Sequence, residues 1–284
     1  MIPAAFEYHR PDSLASAIAI LTEHGDEARV IAGGHSLIPM MKLRMAAVSH
    51  LVDLRKVAEL KGITIAGGRV TIGAMTTQAE LIGHDGLAQA VSLLREAALQ
   101  IADPQVRYVG TVGGNVANGD PGNDMPGLMQ CLNASFTVEG PDGARDIPAR
   151  DFYHSAYVTD RADDEILTRI AFDVPAGGYA YEKQKRKIGD YATAAAAVLL
   201  TKAGGKVASA SVAMTNLSDT PVWSADAAAA LVGSDCGDAA VKAAVAAMLG
   251  DIDPQADNRG PIEFKRHVAG VILARASSRA WSRA

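Results

Sequence analysis

An α+β fold is expected from three features of the chain. Short β-branched runs and amphipathic helical runs are mixed without the regular alternation of a βαβ protein. Glycine pairs punctuate the runs, and the region beyond residue 225 turns alanine-rich and helical. With 284 residues, 49% of them apolar, the chain can bury more core than one modest domain needs, so two or three packed units are expected.

Taken in order, Pro11-Asp12-Ser13 opens an amphipathic helix with Leu14, Ile18 and Leu21 along one side. Arg29-Val30-Ile31 is a short strand that delivers the chain to a first glycine pair, and Leu51-Val52-Asp53-Leu54 is another strand. Ile63-Thr64-Ile65 and Val70-Thr71-Ile72 form a hairpin about Gly67-Gly68. A helix starts at Thr76 and passes through Leu81, and a longer one follows from about Leu87 to Ile101. The extended segment Asp103-Pro104-Gln105-Val106-Arg107-Tyr108 leads to a second glycine pair, and Met125 to Leu132 is helical after Pro126. Strands at 135–138 and 145–147 flank the turn Pro141-Asp142-Gly143, and 165–172 is a strand that stops before Pro175.

Composition changes around Gly177-Gly178, which sets a domain boundary near Ala176, between residues 1–176 and 177–284. Beyond it come the segment 179–187, two strands about Gly204-Gly205, and helices from Ala225, Asp238 and Pro261. This C-terminal unit is expected to be an antiparallel sheet with a helix bundle. No solenoid repeat or low-complexity linker separates the parts.

Two glycine-bearing segments carry most of the functional information: Ala32-Gly33-Gly34-His35-Ser36 and Thr111-Val112-Gly113-Gly114-Asn115. A glycine pair lets successive backbone N–H groups turn toward an anion without a Cβ in the way. One such turn grips a phosphate, and two bracket a pyrophosphate. Ser36 is placed to cap a short helix through Leu37, Ile38, Met41 and Leu43. After the second pair comes Asn118-Gly119-Asp120-Pro121-Gly122-Asn123-Asp124-Met125-Pro126, whose carboxylates and amides suit ribose or ribityl hydroxyls. The implied ligand is a nucleotide with a sugar chain. Glycine pairs are often turns and nothing more, which is the reading given to Gly67-Gly68 and Gly204-Gly205.

In their order and separation, AGGHS, TVGGN, the NGDPGNDMP run and YEKQKRKIGDYATAAAA from Tyr181 to Ala197 resemble the FAD-binding medium subunits of the molybdenum hydroxylases, the xanthine-dehydrogenase-like family. The resemblance covers essentially the whole chain. It implies a two-part FAD-binding domain of the vanillyl-oxidase/PCMH type, divided near Leu54 into about 1–54 and 55–176, followed by the C-terminal unit. It also implies noncovalent FAD, with the molybdenum cofactor and 2Fe-2S clusters held only by partners. Those partners are a large molybdenum-containing subunit and a small iron–sulfur subunit, assembled as a heterohexamer, a dimer of heterotrimers. Electrons would pass from the partner's clusters to the flavin and on to an external acceptor. A flavin subunit serving oxidation of aromatic heterocycles or aldehydes, and a noncatalytic nucleotide-binding assembly module, are the competing readings.

Composition narrows the classes further. Lys and Arg total 27 against 32 Asp and Glu, so no basic footprint for nucleic acid exists. No apolar stretch reaches membrane-span length, and the N-terminus lacks the plan of a signal peptide, so a cytoplasmic protein is expected, with peripheral contact at the inner membrane face left open for the assembled complex. Cys131 and Cys236 are too few for a disulfide framework or an iron–sulfur cluster, and Cys131 reads as a buried free thiol. The seven histidines look scattered, without spacing for a metal site. No nucleophile or acid–base pair stands out, which suits a protein whose chemistry belongs to its cofactor.

The candidate cofactor-binding residues are therefore Ala32, Gly33, Gly34, His35, Ser36, Thr111, Val112, Gly113, Gly114 and Asn115. To these the resemblance adds Asp124 as an acidic contact, Lys183 as a flavin contact and Tyr191 as an aromatic lid on the ring. Each has a duller alternative: His35 a turn residue, Lys183 a solvated strand lysine, Tyr191 a packing residue on the seam between units. Asp120 is assigned a structural role in an Asx turn.

Overall fold

The computed structural model describes residues 2–284. Its first layer is a parallel sheet. β1 (Glu7–His9) is followed by α1 (Leu14–His24), β2 (Ala28–Ile31), α2 (Leu37–Lys42) and β3 (His50–Asp53), and the strands lie in the order β1-β3-β2. Ser13 caps α1 through its hydroxyl, which accepts from the Ser16 N–H at 3.3 Å. Leu14, Ala17 and Leu21 then fall on one helical stripe and pack against Val52, Leu54 and Val57. Ser36 does not cap α2 as expected. Its own backbone is already helical, φ −95° and ψ −53°, which keeps its hydroxyl from reaching back to the first-turn amides.

β4 (Ile63–Ala66) and β5 (Arg69–Gly73) form the expected hairpin. Six helices follow: α3 (Gln78–Gly83), α4 (Asp85–Ala90), α5 (Ser92–Ala98), α6 (Pro104–Val109), α7 (Val112–Ala117) and α8 (Asp124–Cys131). The single helix expected over 87–101 is broken at Val91, which sits at φ −146° with its β-branched side chain fully buried. Anchoring that side chain in the core outweighs helical continuity. The segment 103–108, expected to be extended, is α6. Asp103 is its cap, accepting from Val106 N–H at 3.0 Å, and Pro104 occupies the first turn, where it needs no N–H partner.

Next come β6 (Ser135–Gly140), β7 (Gly143–Pro148), the small pair β8 (Tyr153–Ser155) and β9 (Val158–Thr159), and β10 (Ile166–Asp173). β6, β7 and β10 join β4 and β5 in a five-stranded antiparallel sheet in the order β4-β5-β10-β6-β7, and Phe152 from the segment after β7 meets Phe136 of β6 edge to face at 4.9 Å.

The last sheet holds β11 (Gly178–Gln184), β12 (Ala194–Ala203), β13 (Lys206–Thr215) and β14 (Val222–Trp223), antiparallel and in sequence order. α9 (Ala225–Leu231), α10 (Asp238–Asp251) and α11 (Ile262–Arg283) follow it. Ala194, Ala196, Val198 and Leu200 face Ile272, Leu273 and Ala276 of α11, while Ala195 and Ala197 join the core of the five-stranded sheet. The alternation of a strand explains the alanine run, because this strand is buried on both faces and small side chains let each layer approach. Among the described residues, no helix is long and apolar enough to cross a membrane.

Candidate functional site

The chain leaves β2 through Ala32-Gly33-Gly34-His35-Ser36, and this loop forms one wall of a cavity of about 820 Å³. The backbone N–H groups of residues 33–36 donate to no protein acceptor among the described residues, in a loop that is only partly covered. Successive free amides in a loop that bounds a cavity make an anion-binding concavity. Gly34 adopts φ +75°, and Gly33 packs so closely on Gly110 that a Cβ there would stand 2.7 Å from the Gly110 Cα. That approach brings the loop beside the second glycine segment.

The second segment is built differently. Thr111 caps α7, its hydroxyl accepting from Gly114 N–H at 3.0 Å. Val112 N–H donates to Thr76 carbonyl at 2.8 Å, Gly113 N–H to Ala74 carbonyl at 2.9 Å, and Asn115 N–H to Thr111 carbonyl at 3.1 Å. The expectation that both glycine pairs offer free amides therefore fails here, because the chain spends these donors on the connection after β5 and on its own cap. Thr111, Gly113, Gly114 and Asn115 still line the cavity, whereas the Val112 side chain is fully buried in the core. Asn115 works as a tie: its side-chain oxygen accepts from Met125 N–H at 3.1 Å and its carbonyl from Asn123 Nδ2 at 2.8 Å, fixing the start of α8.

That start carries Asp124. Its carboxylate pairs with Lys183 Nζ at 2.8 Å, the two side chains being 5% and 1% exposed, and its second oxygen accepts from the Tyr181 hydroxyl. Burial, and the Asp124 charge after it, hold the Tyr181 hydroxyl well above its ordinary range, so it remains a donor. Lys183 also donates to Gln100 carbonyl at 3.3 Å. Asp124 and Lys183, expected as separate ligand contacts, are joined as one ion pair at the cavity wall.

Tyr191 closes another side. Its ring lies against Gly122, where a Cβ would stand 2.7 Å from Tyr191 Cδ1, and its hydroxyl donates to Asp120 at 3.2 Å. Burial and the Asp120 charge push that hydroxyl above its ordinary range. Asp120 also accepts from Gly122 N–H at 2.9 Å, the Asx contact assigned to it. His35 is exposed at the cavity rim.

Sequence reasoning overlooked Gln78. It lines the cavity at 2% exposure with neither its side-chain oxygen nor its nitrogen partnered among the described residues, and Asn118 Nδ2, elsewhere on the same lining, is likewise buried and unpartnered. The available signal was a glutamine three residues before Leu81, on the helical face that turns inward. Unmet donors and acceptors in a cavity are costly unless a ligand meets them. The cavity volume, the free amides and these orphaned amide groups together fit a noncovalently bound dinucleotide such as FAD.

Both cysteines are buried, and burial pushes the Cys131 thiol up to about 12, so it is inert at neutral pH. Of the histidines that read as scattered, His9, His24 and His50 are brought together, because β1 and β3 are neighbours and α1 ends over them.

Residues 4–176 match the family described as FAD binding domain in molybdopterin dehydrogenase, and 179–280 match that described as CO dehydrogenase flavoprotein C-terminal domain. The chain is 55% identical to the carbon monoxide dehydrogenase medium chain of Afipia carboxidovorans, over 100% of this chain and 99% of that one. It is 44% identical to the corresponding chain of Hydrogenophaga pseudoflava, again over 100% and 99%. A solved structure of reconstituted CO dehydrogenase from Oligotropha carboxidovorans superposes with a TM-score of 0.99 at 56% identity, covering 100% of both chains. With its free-amide loop, its capped second glycine segment and matches running from end to end, the chain belongs to the family of FAD-binding medium subunits of the molybdenum hydroxylases.

Proposed function

We propose that the chain is the flavoprotein subunit of a carbon monoxide dehydrogenase, taking electrons from a partner's iron–sulfur clusters and delivering them through FAD to an external acceptor. The overall reaction converts carbon monoxide and water to carbon dioxide with release of two protons and two electrons, the chemistry of substrate lying in a molybdenum subunit. The observation that carries the reading is the run of unpartnered amides at 33–36 on a cavity that Asp124, Lys183 and Tyr191 also line. Bound FAD supplies reversible electron transfer, and the protein supplies orientation and electrostatics.

In this reading the 33–36 amides hold the pyrophosphate, and Gln78 and Asn118 meet polar atoms of the cofactor. The segment 111–115 keeps the wall in place, the Asp124–Lys183 pair sets the local charge, and Tyr191 shields the ring from small oxidants. Residues 1–176 form the flavin domain, in parts of about 1–54 and 55–176, and 177–284 the C-terminal domain. Large molybdenum-containing and small iron–sulfur subunits complete a cytoplasmic dimer of heterotrimers, with any membrane contact peripheral and at the inner face. Co-purification of the chain with its native partners, followed by carbon monoxide-dependent dye reduction and a flavin-to-chain ratio, tests this. One flavin per chain and reduction by carbon monoxide are expected. A colourless chain that rejects added FAD, or a complex that reduces dye with an aldehyde or heterocycle but not with carbon monoxide, overturns it.

A further inference from the structure

In the pairing of β1 with β3, Glu7 stands opposite His50 and His9 opposite Val52, so Glu7, His9 and His50 project from one face of the sheet. α1 covers that face and ends on His24 in its last turn. Three segments far apart in sequence thereby gather three imidazoles. His9 Nε2 and His50 Nδ1 are 3.0 Å apart, the His24 ring stacks on His50 at 3.7 Å, and one ligating nitrogen from each lies within 4.8 Å of the others. The Glu7 carboxylate stands 3.7 Å from His50 Nδ1. None of the four lines the flavin cavity.

We propose that His9, His24 and His50, with Glu7 as the fourth ligand, bind one divalent transition-metal ion of the zinc class. Three imidazoles and a carboxylate are a donor set for borderline ions such as zinc, nickel or copper, whereas magnesium and calcium take oxygen ligands. A tetrahedral zinc ion with bonds of about 2.0–2.1 Å sets its ligand atoms roughly 3.3 Å apart. The His9–His50 separation of 3.0 Å is already near that spacing, whereas the His24 ring, parallel to His50 within 3°, must turn out of the stack to aim its in-plane lone pair at the same ion. Without an ion, one of those two nitrogens carries the N–H and the other accepts it. Ligation needs both nitrogens as lone-pair donors, which the ring carrying the N–H provides by placing its proton on its far nitrogen. The His50 side chain is 15% exposed and Glu7 75%, which gives a walled site with one solvent-exposed acidic side chain at its mouth. An ion held here ties β1, α1 and β3 together, and so braces the sheet from which the free-amide loop departs.

The test is calorimetric titration of the full chain, stripped with chelator, with zinc chloride. One zinc per chain is expected, with a dissociation constant of about 1 µM or tighter and a zinc-dependent rise in unfolding temperature. His9→Gln and His24→Gln each weaken binding at least ~100-fold and abolish the rise, while His267→Gln leaves both unchanged and magnesium gives no heat. Should either variant fail to fold, cobalt(II) added to the unaltered chain decides: a visible band of four-coordinate cobalt supports the site. Its absence, or stoichiometric zinc binding that survives both substitutions, overturns the proposal.

Discussion

In the loop after β2, the amides of residues 33–36 have no partner among the described residues, whereas in α7 the amides of Val112, Gly113, Gly114 and Asn115 are all bonded, to Thr76, Ala74 and Thr111. The two segments share a glycine pair at the edge of one cavity. What glycine removes in each is a Cβ, and what uses the freed space differs. At 33–36 the space exposes donors to a ligand. At 113–114 it lets a helix start lie against Ala74 and Ala32. One segment should therefore be read in cofactor affinity and the other in protein stability, and substitutions can separate the two readouts.

The largest expected effect is on the scaffold side. Asn115 fixes the start of α8, and α8 presents Asp124 to Lys183 with both side chains nearly dry. Asp124→Ala strands the Lys183 charge, and removing one member of a buried pair costs about 3–5 kcal/mol. Urea unfolding of the flavin-free chain should show that loss. A change under ~1 kcal/mol means water reaches Lys183 and the pair is not the anchor described here.

The ligand side comes next. Gly33→Val drives a side chain into the Val109-Gly110 backbone and displaces the free amides, so FAD affinity should fall at least ~100-fold, or about 2.7 kcal/mol. Flavin fluorescence titration measures it. Undiminished affinity would mean the 33–36 amides are not the pyrophosphate donors. Thr111→Val sharpens the contrast from the other side. It deletes the hydroxyl that caps Gly114 N–H, at a cost of ~1 kcal/mol in stability, with FAD affinity within about twofold of the original. If affinity falls in parallel with stability, the two segments do not divide the work.

Much of this was legible in the chain. The hairpin about Gly67-Gly68, the strands before and after Gly204-Gly205 and the C-terminal helices follow from local periodicity, and the structure has them. The two glycine segments do meet, Gly33 packing on Gly110, but the free amides behind the shared anion-binding role from which their nearness was expected occur only in the first. What was not legible depends on partners distant in sequence. Spacing alone does not reveal that Ala74 and Thr76 consume the amides of Gly113 and Val112. It does not place Asp124 against Lys183, 59 residues on, or bring His9 to His50 across a parallel pairing. The extended segment expected over 103–108 is a helix because Asp103 caps it and Pro104 takes its first position, a pairing that six residues with one valine and one tyrosine do not announce by periodicity.

Tyr191 tests whether the division extends to access by the acceptor. It belongs to the C-terminal unit yet bonds Asp120 across the seam, and its ring covers Gly122 at the cavity edge. A purely structural tyrosine would be read in stability, through the lost 3.2 Å contact to Asp120. A shielding tyrosine would be read in the rate at which reduced flavin meets small oxidants. At 41% exposure the ring covers only part of the opening, so Tyr191→Ala should raise reoxidation by molecular oxygen several-fold and not by orders of magnitude. Tyr191→Phe keeps the ring and loses the hydroxyl, so it should keep the slow reoxidation while surrendering the Asp120 contact. Stopped-flow reoxidation of both variants distinguishes the roles, and equal rates in all three proteins would leave Tyr191 as a seam residue alone.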